Sequence, residues 1–253
     1  MRRPSLQVAL AVLLVLAGCS MFGSEPVRES DAVDRLDAAG ERVDAVSSYR
    51  YNVTIDASTT AGDERVTGHG VGAVNATSQR QVANMSFDGE RSVNYLDNRT
   101  GFTECRGPLG DGLWGRQQRS TESEWVALTP VGRQLDLLST GDLYYNGTET
   151  VGGRDVAHIS GEPSDEVLSE RGVGSRNAPV FGSSNVDSVT VDLWLDTATD
   201  RPVRSAIRVV VSADGETATA TLTFRYRDYG DRVRVSVPDS VREDALSTGC
   251  PGS

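Results

Sequence analysis

The sequence predicts a mainly β protein with few helices: a curved antiparallel half-barrel covered by an N-terminal amphipathic helix and short helices. Three observations predict it. Alternation of apolar and polar residues is the first. From Thr217 to Arg227 one face carries Ala218, Ala220, Leu222, Phe224 and Tyr226 while the other carries threonines and arginines, the two-residue period of a strand with one dry side. The same pattern runs through Val189-Val191-Leu193-Leu195, Ile207-Val209-Val211 and Val233-Val235-Val237, which specifies an antiparallel sheet with a single apolar face. Second, a clear helical period occurs early, from Ser30 to Ser48, where Val33, Leu36, Val43 and Val46 recur among charged residues. Third, turn signals such as Asp88-Gly89, Asn146-Gly147, Gly152-Gly153 and Tyr229-Gly230-Asp231 divide the rest into short segments. Roughly nine to eleven strands follow from this spacing, with short helices near Val131 to Ser139 and Ser164 to Arg171.

Taken in chain order, the first segment is an address. Arg2 and Arg3 precede ten consecutive apolar residues, Val8 to Ala17, ending in Leu16-Ala17-Gly18-Cys19. The run is shorter than the roughly 20 residues a spanning helix needs and fits the apolar core of an export signal. Leu-Ala-Gly-Cys resembles the lipobox of bacterial and archaeal lipoproteins. That resemblance implies that residues 1–18 are removed and that Cys19 is the lipidated mature N-terminus, anchored on the extracellular face of the cell membrane. The arginine pair fits twin-arginine export in part, so this route and the general secretory route both stand. Residues 19–29 form a polar tether, 30–246 a single half-barrel domain and 247–253 a C-terminal tail.

Composition narrows the partners. Without residues 1–18 the chain carries 23 basic and 36 acidic residues, a net charge of −13, and every basic residue is arginine. This pattern resembles proteins of extreme halophiles, whose carboxylate surfaces stay hydrated while salt screens their repulsion; a GC-rich genome favours arginine as well. Nucleic acid is excluded as a partner, because phosphate binding needs a basic footprint.

Five asparagines open Asn-x-Ser/Thr sequons: Asn52, Asn75, Asn84, Asn98 and Asn146. They read as glycosylation sites or as the by-product of a threonine-rich β chain. With Cys19 lipidated, Cys105 and Cys250 remain in an oxidising setting and are expected to pair. Such a bridge would stabilise by roughly 4 to 5 kcal/mol in the chain-entropy model.

Catalytic signatures do not stand out. His69 and His158 are isolated in sequence, so a zinc site lacks ligands, and no Gly-x-Ser-x-Gly elbow occurs. Gly68-His69-Gly70-Val71-Gly72 lacks the Lys-Ser/Thr of a phosphate loop and reads as a strand approached closely by its neighbours. Asp196 and Asp200 read as turn residues first; a calcium site there would need more oxygen ligands than the loop itself offers. No enzyme activity, metal or cofactor is expected.

The stretch Leu193-Trp194-Leu195-Asp196, a turn, Arg201-Pro202-Val203-Arg204, then Phe224-Arg225-Tyr226-Arg227-Asp228-Tyr229-Gly230 and Val237-Pro238, resembles the LolA/LolB and LppX/LprG-like lipoprotein families, and in appearance the surface lipoproteins of halophilic archaea. The resemblance spans about residues 30–240. It implies a LolA-like half-barrel closed by helices that binds acyl chains or lipidated partners.

An oily sheet face wider than its few helical covers leaves an underfilled hollow. Its candidate lining is Val53, Ile55, Met85, Phe87, Trp114, Val191, Leu193, Leu195, Val209, Leu222 and Phe224. Trp114 sits in the glycine-rich segment from Arg106 to Glu124 and reads either as the tip of a lid or as part of a surface loop. Trp194 reads as the anchor of its hairpin ahead of a ligand contact. The expected function is non-enzymatic binding of a hydrophobic ligand, a lipid or an acylated partner; the alternative is an envelope interaction or sensory module whose barrel is filled by its own side chains.

Overall fold

The structure is a computed structural model that describes residues 25–60, 65–87, 89–105, 110, 112–119, 124–170, 185–213 and 215–251. The export signal, Cys19 and most of the tether lie outside the described residues.

Among the described residues eleven strands form one open antiparallel sheet, as expected. They are β1 (Ser48–Thr59), β2 (Arg65–Asn75), β3 (Arg80–Phe87), β4 (Glu90–Asp97), β5 (Thr100–Glu104), β6 (Trp114–Gln118), β7 (Asp142–Val151), β8 (Arg154–Glu162), β9 (Asn185–Asp196), β10 (Pro202–Ala213) and β11 (Glu216–Arg227). Their spatial order is β6-β5-β4-β3-β2-β1-β11-β10-β9-β8-β7. Two meanders, one from each half of the chain, are therefore joined by the single pair β1–β11. Sequential strands lie side by side throughout except β6 and β7, which form the two opposite edges of the sheet.

Among the described residues four α-helices accompany the sheet: α1 (Ser30–Asp44), α2 (Pro130–Leu138), α3 (Asp165–Glu170) and α4 (Asp239–Asp244). Helix α1 buries Ala32, Leu36, Ala39 and Val43, the stripe its period requires. Helix α2 starts at Thr129, whose hydroxyl accepts from Gly132 N, with Pro130 in the first turn. It buries Val131, Leu137 and Leu138. The two helices pack side by side on one face of the sheet, here the inner face. Beneath them lie two apolar clusters. One joins Ala32, Leu36, Leu137 and Leu138 to Leu143, Ile159, Val191, Leu193, Leu195 and Val209. The other joins Val43, Val46 and Val131 to Tyr49, Tyr51, Val53, Val74, Leu96 and Tyr226.

Two expectations need correction. Val233, Val235 and Val237 are buried but belong to no strand. The chain after β11 turns through Asp228 and Gly230, both at positive φ, and runs over the opposite, outer face as a strap. Ser48 Oγ donates to the carbonyl of Asp231, and Asn75 Nδ2 donates to that of Val233 at 2.7 Å. Side chains of the sheet thus hold the strap, where a strand would use a backbone ladder. The strap ends in α4, where Val237, Val241 and Ala245 pack on Phe102 with Tyr95 and Trp114. Trp114 is the second correction. It belongs to a strand, β6, pairs in register with Glu104 and packs at a tilt against Tyr95, ring centroids 5.7 Å apart. Its row faces the strap, so it tips no lid over the hollow.

Both open edges of the sheet are covered by the chain's own ends. At β7, Leu143 N donates to Val27 O (2.8 Å) and accepts from Glu29 N at its carbonyl (3.0 Å). Tyr145 N donates to Glu29 Oε2 at 2.8 Å. At β6, Leu246 N donates to Trp114 O and Arg116 N to Leu246 O, each at 2.8 Å. Short parallel caps of this kind protect edges that would otherwise recruit other strands. The Cys105–Cys250 disulfide, as expected from the cysteine count, ties the strap to the end of β5.

Candidate ligand-binding hollow

Register fixes which side chains share the inner face. One row across the sheet reads Phe87, Gly68, Ile55, Leu222, Ile207, Val191, Gly161 and Leu143. The row nearer the start of β1 reads Met85, Gly70, Val53, Phe224, Ser205, Leu193, Ile159 and Tyr145. Ten of the eleven candidate lining residues thus lie on the inner face; Trp114 does not.

Burial divides those ten. Val53, Val191, Leu193, Leu195 and Val209 are fully buried in the clusters under the helices. Ile55, Met85, Phe87, Leu222 and Phe224 are only partly buried. Three neighbours share this state, Ala57, Ile207 and Ala218, and Val66 on the same face is 37% exposed. The reason is the placement of the covers. Helices α1 and α2 draw their contacts from β7 to β10 and from the first half of β1, so among the described residues the later half of β1 with its partners on β2, β3 and β11 is left partly roofed. Every side chain of this patch is apolar. The sequence signal for Ile207, Ala57 and Ala218 was present in their alternation, but register was needed to place them beside Ile55.

The glycines of β2 shape the floor. Gly68, Gly70 and Gly72 occupy three successive inward positions. A Cβ on each would collide with Phe87, Met85 and Tyr51 respectively, so these neighbours lie across a trough that only glycine leaves open. The close-approach reading of Gly68 to Gly72 is what the backbone requires.

Toward the start of β1 the hollow is shut by aromatic rings. Tyr49 meets Tyr226 edge-on at 5.9 Å, Tyr51 meets Phe224 at 5.9 Å, and Phe224 stacks on Tyr226 at 6.2 Å. Tyr226 donates to the buried Gln134 of α2 at 2.9 Å and shares a 3.0 Å hydrogen bond with Ser205. Burial pushes the phenols of Tyr51 and Tyr226 far up, against the opposing pull of their hydrogen bonds. They therefore stay neutral and offer no proton chemistry near pH 7.

Other singled-out residues lie elsewhere. Trp194 is on the outer face, stacked on His158 at 4.5 Å and under the Arg204 guanidinium at 4.3 Å, and its Nε1 donates to Glu149. It anchors the β8–β9–β10 corner. Asp196 Oδ1 accepts from Ala198 N, Thr199 N and Thr199 Oγ1, the turn role expected. Asp200 pairs with Arg35 of α1 at 2.5 Å. Among the described residues no group of three or more His, Cys, Asp and Glu is placed to hold a metal. Asn52, Asn84, Asn98 and Asn146 are exposed, while Asn75 is half-buried with its amide engaged by Val233 and Ser78. On the outer face a polar cleft of about 350 Å³ is lined by Asp97, Thr100, Phe102, Arg116, Gln118 and Arg242.

No family model and no curated protein matches the chain. Among solved structures it is similar to the lipoprotein LppX of Mycobacterium tuberculosis, with 13% identity over 82% of this chain and 100% of that one and a TM-score of 0.49. It is similar to LprF of Mycobacterium bovis, with 15% identity over 85% and 99% and a TM-score of 0.44. A LolA superfamily protein of Nitrosomonas europaea aligns over 83% and 96% with 12% identity and a TM-score of 0.32.

Proposed function

We propose that this chain is a lipid-anchored, extracellular-face protein that binds a hydrophobic ligand, a lipid or an acylated partner, in the hollow between its sheet and helices, without catalysis. The observation that carries the reading is the contrast along the inner face: residues under α1 and α2 are sealed, whereas Ile55, Met85, Phe87, Leu222 and Phe224 form a continuous, wholly apolar patch that the described helices only partly cover. An uncovered apolar surface of this kind is where a greasy ligand gains most from leaving water. The sequence supports the rest of the proposal: residues 1–18 as export signal, Cys19 as lipidation site, 19–29 as tether, 30–246 as one domain, and the exposed sequons as glycan acceptors. Among the described residues no helix is long and apolar enough to cross a membrane, and the anchor proposed is the lipid.

Native mass spectrometry of protein purified without detergent tests it. A co-purifying mass in the range of an acyl lipid, released on denaturation, is expected; protein that is bare and takes up no added fatty acid would overturn the reading.

A second reading has its own observation. Tyr51, Met85 and Phe87 already lie across the glycine trough, as they would in an envelope interaction module with a self-filled interior. Crosslinking in cells followed by pull-down separates the two, since this reading requires recovered protein in place of lipid.

A further inference from the structure

We propose that the open rim of the hollow faces the membrane that holds the chain's own anchor, so that ligand passes between the bilayer surface and the hollow directly. The inference rests on the reading of Cys19 as lipidated and of the hollow as a ligand site.

The direction of the tether carries it. Arg28 forms a parallel bridge with Leu143, so the tether runs the same way as β7, and the chain before Val27 leaves beyond the first residue of that strand. Leu143 shares its row with Ile207, Leu222, Ile55 and Phe87. The rows beyond it, toward which the tether points, carry Ala57, Val66 and Ala218. The anchor therefore emerges at the rim where the apolar patch opens. The tether is clamped there, with Val27 N donating to Asp142 Oδ1 at 2.7 Å and Arg28 to the carbonyl of Gly141 at 3.0 Å.

Length holds the geometry. Seven residues, hence eight residue-to-residue steps, lie between Cys19 and Val27, and fully extended they reach about 27 Å. The step from β7 to β11 is four strand spacings, about 19 Å. A lipid held at Cys19 thus keeps this rim within a tether's length of the bilayer. Val27 and Val66, 54% and 37% exposed, are apolar side chains at this end. The opposite rim is occupied by the end of α1 and by polar turns at Asn98 and Asp200.

The test uses the lipidated chain in phosphatidylcholine vesicles containing spin-labelled lipid, with an environment-sensitive fluorophore on Val66→Cys or, at the opposite rim, on Ala198→Cys. Loss of fluorescence at position 66 but not at 198 is expected, and a long Gly-Ser insertion between Ser24 and Glu25 should abolish the difference. Equal quenching at both sites, or stronger quenching at 198, overturns the orientation. A parallel titration of the lipid-free Cys19→Ala chain with a fluorescent fatty acid keeps the two ideas apart. Binding without rim-selective quenching removes the orientation and leaves the hollow's function standing; rim-selective quenching without binding removes the ligand reading on which direct passage rests.

Discussion

Asp97 is the residue on which the strap is pinned. Arg80 Nε reaches its Oδ1 at 2.8 Å and Arg242 Nη2 its Oδ2 at 2.7 Å. Partial burial pushes its carboxyl up, but the hydrogen bonds and charges of the two arginines outweigh that and hold it below the usual range. A depressed carboxylate contributes its stability above the unfolded value, about 3.9, and loses it as pH falls through the lower native one. Acid titration of wild type should therefore show a steeper loss of stability below about pH 4 than Asp97→Asn, followed by circular dichroism. Equal slopes would mean that the pair contributes nothing. Because the pair is partly open to solvent, Arg242→Ala should lower the urea midpoint only slightly. Gln134 is different. It is 1% exposed and accepts from Tyr226, so Gln134→Ala leaves a cavity and a phenol short of one partner, at a cost of about 2 to 3 kcal/mol in urea unfolding.

At the scale of elements, the strap and its disulfide form one device. It covers Phe102, Tyr95 and Trp114, caps the edge strand β6 and is closed by Cys105–Cys250 across 145 residues. Cys105→Ser with Cys250→Ser should lower stability by about 4 kcal/mol and increase self-association by freeing β6; denaturant unfolding and light scattering check both. Much of this level was legible in the sequence. The alternation from Thr217 to Arg227 gives β11 nearly to its ends, and the stripe of Leu36 and Val43 gives α1. Val233, Val235 and Val237 alternate just as well yet make no strand, because alternation reports one buried side and not what the backbone bonds to. Trp114 misled for a related reason: glycines around it mark a loop locally, while its partner Glu104 is fixed only by tertiary pairing. Helix α4 is six residues long, too short to show a period. In the hollow, the identity of the inward residues was readable from parity, but which of them the helices would seal was not, since that depends on where α1 and α2 lie across strands distant in sequence.

For the whole molecule, charge and coverage decide behaviour. The chain's net charge of −11 repels itself in dilute buffer, so the melting temperature should rise as sodium chloride is raised from the millimolar to the molar range; a flat or falling curve would contradict a halophile-like surface. Coverage bears on function. Among the described residues the sheet spans eleven strands, while α1 and α2 seal mainly the β7–β10 wing and the start of β1, and the unsealed remainder is the apolar patch around Ile55, Phe87 and Leu222. The most direct measurement is titration of a fluorescent fatty acid into the lipid-free mature chain and into Leu222→Trp, which fills the patch without adding charge. The account predicts saturable binding by the wild type, weakened about tenfold or more, over 1.4 kcal/mol, in the filled variant with its fold intact by circular dichroism. Absence of saturable binding, or equal binding by both chains, would contradict it.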